Sequence, residues 1–348
     1  MWEDSGYAYA KAGWLVGKSW LGQRASILTS PRTLTELDRL IFPDNYRELP
    51  GRELLPSLEK RIIARSVRQI LSVVNSYSNP PKLLIRMLKG FEYGDLKECL
   101  AHIAGGNNSL PVISDIGRFK TIRFNAFPDV SAMIKKTEFE SLLSGDIKSI
   151  KAGMDLTDID AKLDWRFYQS LIESLSQLDQ EDRETAARIV ADEVSLRSCL
   201  WALRLRSYYN KSEAETRKYL FDFKLPGFIR QNKTSLSYEA KQSLEFSLDF
   251  RENWRGWRWE KFLNQEQASV HWKADPRYFQ NSASRHLYHL SYRGFHSSPM
   301  SVSAIFCFIK LKQFEEDLLT SVAEGLALGM ESAAVFKMLP LQTGAEVC

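Results

Sequence analysis

The chain lacks paired cysteines. Its four, Cys99, Cys199, Cys307 and Cys348, stand far apart and form no CxxC, so neither a disulfide scaffold nor a zinc ribbon is expected. Cys99, Cys199 and Cys307 fall on helical apolar faces and read as small buried hydrophobes in a reducing, cytoplasmic compartment. Also absent is any run of eighteen apolar residues, the tightest cluster being Ala304 to Ile309. No segment can then span a bilayer, and a membrane role would be peripheral. The amino terminus, MWEDSGYAYAKAGWLVGKSW, has acids in its first four residues and lysines inside its apolar stretch, which does not suit a secretory signal. Strand-like alternation is confined to short pieces such as Thr121 to Phe124.

The motifs that usually mark an enzyme of this size are missing too. GxxxxGK[ST], GxGxxG after a strand, GxSxG and HExxH do not occur. Five histidines are present, with His286 and His289 one helical turn apart, His296 nearby and His271 upstream. HxxH without a neighbouring acid or cysteine is ordinary polar packing more often than a metal site. No catalytic residue, cofactor, metal or direct nucleotide contact is expected.

What the sequence does contain is apolar material at helical spacing. The composition is 44% hydrophobic and 26% charged over 348 residues, more chain than one core usually serves. In Ser301 to Met330 apolar residues recur every three or four positions, at Val302, Ile305, Phe306 and Ile309 and then at Phe314, Leu318, Val322 and Leu326. That spacing makes an amphipathic helix or helix pair. FEEDLLTSVAEGLALG, from Phe314, aligns with FEYGDLKECLAHIAGG, from Phe91, pairing Phe91 with Phe314, Glu92 with Glu315, Leu96 with Leu319 and Gly106 with Gly329. A middle copy in ADEVSLRSCLWALRLRSYY pairs Leu96, Lys97, Cys99 and Leu100 with Leu196, Arg197, Cys199 and Leu200. A threefold internal repeat follows.

An all-α chain of three similar helical domains, residues 1–115, 116–225 and 226–348, accommodates these copies. Tyr7 to Ile41 is read as helical, with a break at Phe42 to Asn45. A second helix covers Glu53 to Tyr77 and stops before Pro80 and Pro81. GGNNSLP at Gly105 to Pro111 and KLPGF at Lys224 to Phe228 mark the two boundaries. Leu163 to Leu178 forms a helix with Trp165, Tyr168, Leu171 and Ile172 on one face. Ser212 and Glu215 make a capping box, and the tail after Leu339 has no periodicity.

Two clusters carry binding potential. Arg251 to His296 interleaves Trp254, Trp257, Trp259 and Trp272 with arginines and lysines, and contains the chain's whole +4 excess of positive charge. Aromatics amid cations can stack the bases of single-stranded nucleic acid. The bland alternative, tryptophan anchors of a third core under arginine stems, is favoured because a pI of about 8.7 is modest for a nucleic-acid binder. Arg204 and Arg206, ahead of Tyr208 and Tyr209, complement a helix C-terminus and are also residue types favoured as interface anchors.

Several stretches together resemble the V-type ATPase subunit called C in bacterial and archaeal complexes and d in eukaryotic ones. They are IFPDNYREL with Tyr46, FEYGDLKECLAHI, LRLRSYYNKSEAE and SPMSVSAIFCFIKLKQFEEDLLTSVAEGLALGM, together with the aromatic first helix. The likeness runs in order over nearly the whole chain. It departs where the family motif reads Glu, two residues, then Asn-Leu-Arg, because Glu315 is followed by Leu318, Leu319 and Thr320. The resemblance implies a pseudo-threefold funnel, one copy per complex, seated on the cytoplasmic face of the membrane proteolipid ring and receiving the foot of the central shaft. Such a subunit is not an enzyme. It transmits torque for H⁺ or Na⁺ transport. Moving one charge across 100 mV involves roughly 2.3 kcal/mol, whereas an exposed ion pair contributes about 0 to 1 kcal/mol. A broad seat with apolar contacts is therefore expected, its polar part including Arg204, Arg206, Glu315 and Asp317.

Overall fold

A computed structural model of the chain describes residues 2–225, 235–266 and 271–338. The helices in order are α1 (Trp2–Gly17), α2 (Leu34–Ile41), α3 (Gly51–Val74), α4 (Lys82–Ala104), α5 (Val130–Ile134), α6 (Glu138–Leu143), α7 (Thr157–Leu175) and α8 (Gln180–Tyr209). There follow α9 (Glu213–Arg217), α10 (Tyr238–Ser243), α11 (Pro276–Ser297), α12 (Val302–Ala327) and α13 (Ser332–Met338). The class is all-α, with no strand among the described residues.

Local chemistry sets the helix ends. Asp179, Asp275 and Ser301 cap α8, α11 and α12 by accepting the backbone N–H of Asp182, Arg277 and Ala304. Asn210, left-handed at φ 49°, ends α8. Ser212 and Glu215 form the expected capping box, although the helix they open is only five residues long. The helix expected over Tyr7 to Ile41 is interrupted, because Gly22 adopts φ 65° and Pro31 follows a 3-10 turn over Gly22–Thr29. Ser301 to Met330 is one helix with a short cap, since nothing in its middle breaks the backbone ladder. The expected turn at Lys224 to Phe228, the tail after Leu339 and Cys348 lie wholly or partly outside the described residues.

The long helices form three hairpins, α3 with α4, α7 with α8 and α11 with α12. In each, the second helix carries one copy of the repeat. The second helix of one hairpin packs on the first helix of the next: α4 on α7, α8 on α11, and α12 back on α3. The cycle of pairings thereby closes. α11 approaches both α12 and α8 very closely at Gly294, where a Cβ would lie 2.7 Å from Cys307 Sγ of α12 and 2.9 Å from Thr185 Cγ2 of α8.

Three apolar clusters hold these elements. The largest joins α1 to α3 with the amino-terminal half of α4 and with α8, α11 and α12. A second lies where Leu196, Cys199 and Leu203 of α8 meet Leu220, residues 240–263 and residues 272–283. The third lies where Tyr93, Leu96 and Leu100 of α4 meet residues 122–163. The clusters cross positions 115 and 225, because the segment after each of these helices folds back onto that helix. Cys99, Cys199 and Cys307 are buried in them, outside any disulfide, and burial pushes Cys99 and Cys307 up to about 12.

Candidate functional site

The repeat has a chemical signature that the apolar pairing alone did not expose. Glu92, Asp192 and Glu315 occupy the same repeat position, and each is buried, at 1%, 8% and 2% exposure. A buried carboxylate needs donors, and each takes them from elsewhere in the fold. Glu92 accepts the backbone N–H of Thr121 and of Ile122 at 2.5 and 2.6 Å. Asp192 pairs with Arg258 at 2.5 Å and with His286 Nε2 at 2.8 Å. Glu315 accepts the backbone N–H of Trp20 and pairs with Lys312 and Arg65. Three residues further on, Asp95 holds Ser114 at 3.0 Å and Ser195 accepts the indole N–H of Trp259 at 3.2 Å. At the third such position, Leu318 is packed in the core. The departure at Leu318 thus exchanges a polar tether for apolar packing.

Between the repeat helices lies a cavity of about 560 Å³, lined from α4, α7, α8, α11 and α12. A chain of polar contacts crosses it. Lys97 of α4 meets Asp164 of α7 at 2.8 Å, and Asp164 meets Arg197 of α8 at 3.2 Å. Arg197 donates to Tyr168 Oη at 3.3 Å, Tyr168 donates to Glu193 at 2.9 Å, and Lys310 of α12 donates to Glu193 at 2.8 Å. All three repeat helices are thereby joined through one network. Burial pushes the Tyr168 phenol well up. Burial acts on Glu193 in the same sense, yet Lys310, Tyr168 and Arg197 together bring it below its ordinary value.

Beside this network the wall carries two acids for which burial outweighs the nearby donors and cations. Burial, with Asp317 alongside, raises Glu316 to about 7, and one of its carboxyl oxygens is buried without a hydrogen-bond partner. Asp317 is exposed and lines the cavity, and the surrounding protein still pushes it up to about 6. Phe91 and Phe314, repeat equivalents, supply apolar lining.

The six candidate residues therefore separate. Arg204 and Asp317 line the cavity, with Arg204 donating to Gln280 at 2.6 Å. Tyr208 and Tyr209 are 53% and 67% exposed at the end of α8. Arg206 turns inward and donates to the carbonyls of Ser243 and Phe246, both at 2.7 Å, while Glu315 lies in the core. Residues 164, 168, 193 and 310 of the network were missed. Only the Lys97/Arg197 match gave a signal, because the other partners meet across distant sequence.

The Trp/Arg stretch takes its favoured reading, tryptophan anchors of a core, and the base-stacking alternative is set aside. Trp254, Trp257, Trp259 and Trp272 are all buried, and their indole N–H groups donate to Ser247 O, Glu239 O, Ser195 Oγ and Asn264 O. Rings held this way have no free face for stacking bases. His286 is engaged by Asp192, and burial with nearby Arg293 and Arg285 lowers His289. No group of three or more His, Cys, Asp or Glu that could hold a metal ion is gathered among the described residues.

The model of the family vATP-synt_AC39, described as ATP synthase (C/AC39) subunit, matches residues 28–336. The chain belongs to this family. It is also similar to an uncharacterized protein of Treponema pallidum (strain Nichols), 26% identical over 323 residues that cover 93% of this chain and 92% of that one. Membership makes the chain a non-catalytic subunit of a V-type ATPase complex, and other subunits of that complex are its partners. Among the described residues no helix is long and apolar enough to cross a membrane.

Proposed function

We propose that the chain couples the central shaft of a V-type ATPase to the membrane proteolipid ring and passes torque between them for H⁺ or Na⁺ transport. The observation that carries this reading is the cavity lined by all three repeat helices and braced by the Lys97 to Lys310 network. Such a recess suits the foot of a shaft. A load entering at one hairpin is shared by the others through charged contacts stiffer than isolated surface pairs. In this reading the units 1–115, 116–225 and 226–348 each supply one hairpin to a funnel on the cytoplasmic face of the membrane. Arg204 and Asp317 meet the shaft, Tyr208 and Tyr209 give an aromatic contact at a helix end, and Arg206 and Glu315 position these surfaces from within.

The test is a tagged full chain recovered from gently solubilised membranes, with mass spectrometry of what accompanies it. Shaft, head and ring subunits are expected together. Arg204→Glu with Asp317→Lys is expected to release the shaft while leaving the helical content unchanged. Retention of every subunit by that variant would remove these two residues from the seat, and recovery of no ATPase subunit by the unaltered chain would overturn the coupling role.

A further inference from the structure

A second recess, of about 440 Å³, runs between α1 and α11 on a different face of α11 from the central cavity. Its floor is formed by Ala10, Gly13 and Gly17 of α1, and its far wall by Tyr292 and His296. Space is open above the floor, since a Cβ on Gly13 or Gly17 would meet no atom within 4 Å. The near rim carries exposed Tyr7 and Trp14 with half-buried Lys11 between them, on one face of a helix of 3.6 residues per turn, and Lys11 Nζ donates to the Ser72 carbonyl at 2.8 Å. Lys18, exposed, follows the helix end at Gly17. Trp14 is 59% exposed and carries Lys18 Nζ 4.0 Å from its ring centroid.

The charge around this recess has one sign. No Asp or Glu is among its described lining residues. Arg24 lines it, donating to the Lys18 carbonyl at 2.8 Å with its guanidinium over the Trp20 ring, Lys18 adjoins the lining residues Gly17 and Ser19, and exposed Arg293 follows Tyr292 on α11. We propose that this groove seats an amphipathic helix of a partner protein, with aliphatic residues entering the groove and Asp or Glu on its flanks meeting those cations.

The shape selects this occupant. A bilayer surface wets protruding residues and leaves a recess unfilled, whereas one helix presents anchors at i, i+3 or i+4, and i+7 that fit a slot along another helix. An added strand is excluded because the described residues hold no sheet edge. The flanking carboxylates follow from complementarity, which sets the partner's register and suppresses unlike partners. A slot this small falls below a standard interface, so the contact acts alongside others in an assembly. It does not depend on the central cavity receiving a shaft.

The experiment is site-specific photo-crosslinking in cells producing the full chain, with Trp14→p-benzoylphenylalanine and, separately, Tyr292→p-benzoylphenylalanine. Sequencing of the crosslinked peptide is expected to find one segment of another protein from both positions, with apolar residues and carboxylates at helical spacing. Lys18→Glu with Arg24→Glu should lower the yield at least tenfold. Gly13→Leu, whose side chain enters open space, should do the same with unchanged helical content. Crosslinks to phospholipid, to a second copy of this chain or to a segment without carboxylates, or no crosslink at all, would overturn the proposal.

Discussion

Glu315 Oε1 accepts the backbone N–H of Trp20 at 2.8 Å, tying α12 to the turn that follows α1. The same carboxylate faces Lys312, buried at 2% exposure, and Arg65 at 3.5 Å. Its repeat equivalent Glu92 accepts two backbone N–H groups and the Thr121 hydroxyl and, among the described residues, has only Lys89 as a distant cation, at 3.9 Å. The two sites therefore differ in what they leave behind when the charge is removed. Glu315→Gln keeps an acceptor but strands a buried ammonium, a loss of about 3 kcal/mol. Glu92→Gln strands no buried cation and is expected to cost about 1 kcal/mol. Urea unfolding of both variants checks the order, and equal losses would mean that the buried lysine is not what Glu315 serves.

Trp257→Ala is expected to destabilise the chain by about 3 to 5 kcal/mol, the usual cost of emptying a buried aromatic site. Trp257 packs edge-on against Trp254 and stacks on Phe279, and its N–H is held by Glu239 O. The unaltered chain should show no binding to single-stranded oligonucleotides that weakens steeply between low and moderate salt. Such binding, abolished by the substitution without loss of stability, would restore the base-stacking reading.

The repeat was legible because its apolar and small residues recur in register, Leu96 with Leu196 and Leu319, Cys99 with Cys199. Helix class and the long helices follow from the same spacing. Glu315 shows where this reading fails. On a helix surface a glutamate reads as solvated, and nothing local announces that Trp20 will bring its N–H to it. Arg206 deceives in the same way, since the carbonyls of Ser243, at the end of α10, and of Phe246, just past it, receive it. The cavity network is assembled from partners on four helices, and only Lys97 and Arg197 share a repeat position. Pairwise spacing carries the hairpins, while the closure of α12 onto α3 is a property of the whole fold.

Glu316 gives a pH signature. Its folded value of about 7 lies above the ordinary 4.5, with burial the larger cause and Asp317 the next. A carboxyl raised in this way favours folding while protonated in both states. Its contribution is present below about 4.5 and is lost as pH rises through about 7. Glu316→Gln should therefore gain stability over the unaltered chain between pH 5 and pH 7, with the difference level above pH 8. Urea midpoints at four pH values check this, and a difference that does not change with pH would show that Glu316 is ionised normally in the folded chain.

Lys310 and Glu193 form the link through which α12 joins the cavity network, with Nζ 2.7 and 2.8 Å from the two carboxylate oxygens. Their side chains are only 9% and 15% exposed, so either charge alone would be left in a poorly solvated place. Lys310→Met leaves Glu193 with Tyr168 and a more distant Arg197, and a loss of about 3 kcal/mol is expected. Glu193→Gln strands the ammonium beside a neutral amide and should cost a similar amount. The double variant removes both charges and keeps an acceptor for the Tyr168 hydroxyl, so most of the loss should return. A double-mutant cycle measured by urea unfolding reads this coupling directly. If the double variant falls by the sum of the singles, the two side chains act independently, and α12 is held to α8 by apolar packing alone.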